Sequence, residues 1–160
     1  MEQDRREEAV RRFGEMVWRL ALARMASVPD AEDVFQEVFL RYFRHEGKLN
    51  SDEHRRAWLI RCTINRTKSA LAAPWRHRVL PLDVAADAGV REENREVYAA
   101  VLALPPKYRT VVHLHYFEGL SVAEIAAHLG CAEGTVNPER DTARDNPVKT
   151  VSDESHMRHL

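Results

Sequence analysis

The sequence predicts an all-α fold, with two small helical domains joined by a flexible linker and a helix-turn-helix in the second. Three observations lead there. Apolar residues recur at three- and four-residue spacing and nowhere alternate as in a half-buried strand. Between Leu80 and Asn94 the composition shifts to turn and small residues, with Pro81, Asp83, Asp87 and Gly89. Near the end, Ile125, Ala126 and Leu129 give a short helix one apolar stripe, Gly130 supplies a turn, and Val136 falls where a second helix would return to the shared core. The spacing predicts domains over 1–78 and 95–145, a linker over 79–94 and a disordered tail over 146–160, which has no apolar stripe.

Each helix has its own signals. Val10, Phe13, Val17, Leu20 and Ala21 predict the first over Arg5 to Ala26, broken at Ser27-Val28-Pro29. Asp30 is the expected N-cap of the second, with Asp33 three residues on, in a first turn where acids suit the dipole. That helix is expected to end near Arg44 and Gly47, with Val34, Phe35, Val38 and Tyr42 in the core. A loop from Lys48 to Asp52 leads to a third helix over Glu53 to Ala72, stopped by Pro74. In the second domain, helices are expected over Glu96 to Leu104, closed by Pro105-Pro106, and over Tyr108 to Phe117. Ser121 and Glu124 predict a capping box for the next.

Composition narrows the function. The chain is 44% hydrophobic and 31% charged, enough apolar residues for packed helical cores. No apolar run approaches the length of about 18 residues that a membrane span needs, so no membrane insertion is expected. The first residues lack a signal-peptide pattern, so the expected location is the cytoplasm. Cys62 and Cys131 stand far apart and are expected as reduced thiols. Metal binding is not expected at His113-Leu114-His115, which has no third ligand beside it. Phosphate-cradling Gly loops and nucleophile motifs are missing, which points to a non-enzymatic role without cofactors.

Charge is distributed unevenly. Residues 1–78 carry 16 Lys and Arg against 12 acids, whereas residues 79–160 carry 8 against 13. From His54 to Leu82 there are seven basic residues and no acid. A solvated helix face ordinarily mixes signs, so this stretch favours a polyanion. Arg55, Arg56, Trp58, Arg61, Asn65, Arg66 and Lys68 interleave cations with an aromatic and an amide, a composition suited to a nucleic-acid strand. Trp58 fits a core position nearly as well as a base platform. On the second helix Asp33, Gln36, Glu37 and Leu40 share a face away from the core residues, where they could grip a partner helix.

Taken in order, these segments resemble bacterial RNA polymerase sigma factors of the extracytoplasmic-function (ECF) group in the sigma-70 family. The resemblance covers about residues 10–137. It rests on Asp30-Ala-Glu-Asp-x-x-Gln-Glu-x-Phe39, on Trp58-Leu59-Ile60-Arg61 with Asn65, and on Leu104-Pro105 through Arg109. Tyr116-Phe117-Glu118-Gly119-Leu120-Ser121 and Gly134-Thr135-Val136 complete it. The resemblance implies a transcription-initiation role with RNA polymerase core, promoter DNA and an anti-sigma protein as partners. It implies that Asp33, Gln36, Glu37 and Leu40 dock on the polymerase. Lys48, Leu49, Asn50 and Ser51, with Arg55, Arg56, Trp58, Arg61, Asn65, Arg66 and Lys68, would hold the −10 element. Ser121, Gly134, Thr135, Asn137, Arg140 and Arg144 would meet the −35 element.

The chain departs from the family after Val136, where a basic series gives way to Asn137-Pro138-Glu139-Arg140-Asp141. Pro138 inside the recognition helix costs roughly 3 kcal/mol. Ala132 in place of a Ser or Thr cap forfeits about another 1 kcal/mol. Glu139, Asp141 and Asp145 would face phosphates. The expectation is a retained polymerase and −10 function with weak or absent −35 recognition. Two other readings fit parts of the sequence: a plain helix-turn-helix regulator, which leaves residues 30–68 unexplained, and a polymerase-binding adaptor or decoy.

Overall fold

Leu20, Leu59, Ile64, Val111, Leu114 and Ile125 are all sealed from solvent in one continuous core that both halves of the chain share. The computed structural model describes residues 2–72 and 81–136. All regular structure among them is helical: α1 (Glu2–Met25), α2 (Val28–His45), α3 (Asp52–Ala72), α4 (Pro81–Asp87), α5 (Arg95–Leu102), α6 (Pro106–Val112) and α7 (Val122–Leu129). A widened π-helical turn, His113–Phe117, continues α6. None of these helices is long and apolar enough to cross a membrane.

The first three helices form one bundle. Phe13, Val17, Leu20 and Ala21 of α1 bury against Val34, Val38, Phe39 and Tyr42 of α2 and against Leu59, Ile60 and Ile64 of α3. Helix α1 can lie close to α2 because Gly14 has no side chain. A Cβ there would meet Val10 Cγ1 at 3.3 Å and the Phe35 ring at 3.6 Å.

Two boundaries differ from expectation. The N-cap of α2 is Ser27, whose hydroxyl accepts from the Asp30 amide at 3.4 Å, and Pro29 lies inside the first turn. Proline is tolerated there because its missing N–H would have no helical partner. Asp30 therefore stands in the first turn and the cap lies three residues earlier. The 79–94 segment, expected as a flexible linker, holds α4, whose Val84 and Ala85 are buried in the core. The expected stop at Pro74, the tail over 146–160 and the Pro138 helix interruption lie outside the described residues.

Helices α5, α6 and α7 build the second unit. Ser121 caps α7 through the Glu124 amide at 3.1 Å, and the Glu124 carboxylate accepts from the Ser121 amide at 3.0 Å, the expected capping box. Gly130 ends α7 at φ +69°, a left-handed conformation that glycine adopts without steric cost. The chain then turns and is helical again over 133–136, and Val136 is fully buried, as the spacing predicts.

Two buried arginines join the halves. Arg109 donates from Nε to the Ala23 carbonyl at 2.6 Å and from Nη2 to the Arg24 carbonyl at 2.8 Å, at the end of α1. Its Nη1 donates to the Leu104 carbonyl at 2.7 Å and to Leu102 at 3.4 Å, at the end of α5. Terminal carbonyls have no helical partner and carry the negative end of the dipole, so one guanidinium serves two helix ends.

Arg24 has weaker partners. It donates to the hydroxyls of Thr67 at 2.8 Å and Thr110 at 2.9 Å and, at 3.5 Å, to the Ile64 carbonyl, with no carboxylate among these three. Burial pushes its pKa down to about 10. Both threonines already donate to their own helices, Thr67 to Thr63 and Ile64, Thr110 to Pro106. Replacing such a buried charge with an apolar side chain of similar length relieves desolvation without stranding a donor. Arg24→Met is therefore expected to stabilise the fold by about 1–3 kcal/mol, read as a higher urea midpoint. A lower midpoint would show that the threonine contacts outweigh the buried charge.

Candidate polymerase and nucleic-acid faces

Asp33 and Gln36 on α2 are exposed, Glu37 is half-buried, and Leu40 keeps 59% of its surface in water. Beside Gln36 an apolar groove runs between α1 and α2, floored by Val10, Gly14, Trp18 and Phe35. Glu37 is not free: Arg66 of α3 donates to its carboxylate, which ties the acidic face to the basic helix.

On α3, Arg61, Asn65 and Lys68 are exposed at helical spacing and form one stripe. Arg55, Arg56, Trp58 and Arg66 are half-buried. Trp58 is packed within the protein, as its core reading expects. It leans on buried Tyr42 at 6.0 Å and stacks almost flat on His45, centroids 5.0 Å apart and planes 17° apart. Arg41, Arg44 and Cys62 complete a shallow basic recess around that pair, residues the sequence reading did not single out.

Several expected contacts have structural duties instead. Leu49 is buried in the core and anchors the loop, so its side chain faces away from any strand. Ser51 caps α3, its hydroxyl accepting from the His54 amide at 3.1 Å. Arg55 holds the same loop by donating to Asp52 at 3.1 Å and to the Leu49 carbonyl at 3.4 Å. Asp52 also accepts from Arg12, and these arginines keep its carboxyl below the usual carboxylate range. Lys48 and Asn50 remain exposed on the loop.

In the second unit Ser121, Gly134 and Thr135 are exposed. Asn137, Arg140 and Arg144 lie outside the described residues.

The basic helix and the second unit meet directly. Arg56 Nη2 donates to the Glu118 carbonyl at 2.8 Å and to Glu118 Oε2 at 3.1 Å. Arg61 Nη2 donates to the Ala127 carbonyl at 3.1 Å, in the last turn of α7. Glu118 is nearly sealed, its side chain 7% exposed, and His113 Nε2 lies 3.5 Å from its other oxygen. Burial pulls the Glu118 carboxyl upward, but hydrogen bonds and charge from His113 and Arg56 outweigh it, and its pKa ends below the ordinary value. A carboxylate depressed in the folded state contributes stability above its unfolded pKa and loses it as the pH falls through the folded one. Nothing in the spacing marked Glu118, Arg24 or Arg109 as partners; of these, only Arg109 and Glu118 lay within the quoted motifs.

An acidic face on α2, a basic stretch of α3 without acids after Glu53 and a capped α7 followed by a glycine turn describe an all-helical chain of the helix-turn-helix class. Known proteins place it within that class. The sigma-70 region 2 family profile matches residues 9–77 and the sigma-70 region 4 profile residues 94–137. The chain is 33% identical over 163 residues to the ECF RNA polymerase sigma factor SigE of Mycolicibacterium smegmatis, covering 92% of this chain and 63% of that protein. It is 30% identical over 142 residues to the ECF sigma factor SigM of Mycobacterium tuberculosis, covering 86% and 72%. Among solved structures, the sigma factor RpoE of Bartonella quintana in complex with the anti-sigma factor NepR superposes with a TM-score of 0.67 at 19% identity, covering 87% of this chain and 91% of that one. CnrH in complex with the cytosolic domain of CnrY gives 0.64 at 24%, covering 96% and 90%. The chain belongs to the sigma-70 family of transcription-initiation factors, in its ECF group.

Proposed function

We propose that this chain seats on RNA polymerase core through Asp33, Gln36, Glu37 and Leu40 and holds the opened −10 strand on α3. The observation that carries the reading is the pairing of two faces on adjacent helices. An acidic surface that includes exposed Leu40 lies on α2, and the Arg61, Asn65 and Lys68 stripe lies on α3, which carries no acid beyond Glu53. Cations along the stripe take phosphates, Trp58 and Asn65 take base faces and edges, and Lys48, Asn50 and the Ser51 backbone line the loop beside them. Opening then follows from preferential binding of unstacked bases, while nucleotide chemistry belongs to the polymerase. An anti-sigma protein is a further partner in this reading, supported by the complexes that the two superposed sigma factors form.

Recognition at −35 is weak or absent in this proposal. Ser121, Gly134 and Thr135 are available, but the basic series that should follow Val136 is replaced, and the region 4 match ends at residue 137. Run-off transcription by the reconstituted holoenzyme on genomic fragments identifies its templates, and footprinting on them tests the reading. Protection is expected around −10 and not at −35. Clear −35 protection would refute the impaired-helix part, and the absence of any stable complex with core would refute the whole.

A further inference from the structure

We infer that a cavity between α1 and the second unit binds a small aromatic carboxylate, at a site separate from the polymerase and strand faces. The cavity encloses about 250 Å³. Engineered cavities of about 150 Å³ take up benzene, so this one accommodates a single ring with a short acidic arm. Trp18 and Leu22 of α1, Tyr98 of α5 and Phe117 of the π-helical turn form its walls, and residues 88–91 form its rim. The Phe117 ring is held by stacking on buried His113, centroids 5.0 Å apart and planes 20° apart. Trp18 is braced edge-on by Phe35 at 6.4 Å. Both walls are therefore set before a ligand arrives, which spares binding the cost of ordering them. A π-helical turn is itself uncommon and often marks a functional position.

Two groups give the cavity its preference for an anion. Tyr98 keeps only 9% of its surface in water, yet its hydroxyl has no hydrogen-bond partner among the described residues. Buried tyrosine hydroxyls ordinarily find one. Burial pushes the Tyr98 pKa up to about 12, so at neutral pH the group is a donor. Arg19 lies close enough for its charge to act on Tyr98. Its Nη2 donates to exposed Glu15, and the rest of its fork of donors is left for a second acceptor. At the rim, Arg91 is exposed and has no ion pair among the described residues. One carboxylate can thus accept from Tyr98 and Arg19 while its ring rests between Trp18 and Phe117. Because α1 supplies one wall and the second unit the other, the ligand ties the two together and raises Tm by mass action.

The test titrates the full chain with phenylacetate, and with phenylacetamide as its neutral counterpart, reading indole N–H resonances in proton–nitrogen correlation spectra. Trp18 is expected to shift saturably while Trp58, outside the cavity, stays unmoved. Phenylacetamide should bind at least tenfold more weakly, since hydrogen bonds to a charged acceptor are the stronger kind. Tyr98→Phe, which removes only the hydroxyl, should weaken phenylacetate about fivefold. Arg19→Gln, at a partly exposed position, should weaken it at least tenfold. These variants also separate the cavity from the α1–α2 groove, which Trp18 lines as well. A Trp18 resonance that never saturates overturns the site. Equal binding of phenylacetamide overturns the acidic class of ligand. Unchanged affinity in both variants puts phenylacetate in the groove and overturns the cavity.

Discussion

Reversing the charge at Glu37 is expected to cost binding to RNA polymerase core at least a hundredfold, because truncating or reversing a charge in a docking face costs about 3 kcal/mol or more. Co-elution of the chain with core enzyme reads the loss. The structure adds a complication, since Glu37 is held by Arg66, and Glu37→Arg alone would set two guanidiniums against each other. The double exchange Glu37→Arg with Arg66→Glu separates the two effects. It rebuilds the α2–α3 ion pair with opposite polarity, so helical content and urea midpoint should return to within about 0.5 kcal/mol of wild type, as exposed pairs contribute little. Core binding should stay lost. If the exchanged chain binds core as well as wild type, the acid on α2 serves the fold and the docking face lies elsewhere.

Arg109→Ala is expected to be the most damaging single truncation for stability. Four carbonyls at the ends of α1 and α5 lose their shared donor in a site that water does not reach, at about 3–5 kcal/mol in all. For a chain of this size that lowers Tm by about 10 °C. Because the guanidinium spans both units, the urea transition of the variant should also broaden toward two steps, with the second unit melting first. Arg109→Lys should recover only part of the loss, since an ammonium cannot present a planar fork to two helix ends. A loss below about 1 kcal/mol by calorimetry would show that the carbonyls find other donors.

The helical architecture was legible because each element announces itself locally. The stripe of Phe13, Val17 and Leu20, the box at Ser121 and Glu124, and the turn at Gly130 each depend on residues within a few positions of one another. The exposure of Asp33, Gln36 and Leu40 was legible for the same reason, since exposure on a helix follows from spacing once the core stripe is known. What escaped depends on residues far apart in the chain. Arg56 and Arg61 look free for a strand until Glu118 and Ala127, more than 60 residues away, arrive beside them. Leu49 looks like a loop residue until the bundle closes over it. The Ser27 cap was misassigned by three residues because Pro29 looks like a breaker when it is in fact a tolerated first-turn residue.

The short helix α4 holds part of the reach between the two units in coiled form. Its seven residues span about 10 Å when coiled and about 24 Å when drawn out. Unwinding it lengthens the tether by about 14 Å, nearly half the diameter of a small domain, at the cost of exposing Val84 and Ala85 to water. The connection between the units is therefore a spring-loaded ruler, short while its apolar side is covered and long once something else competes for that cover.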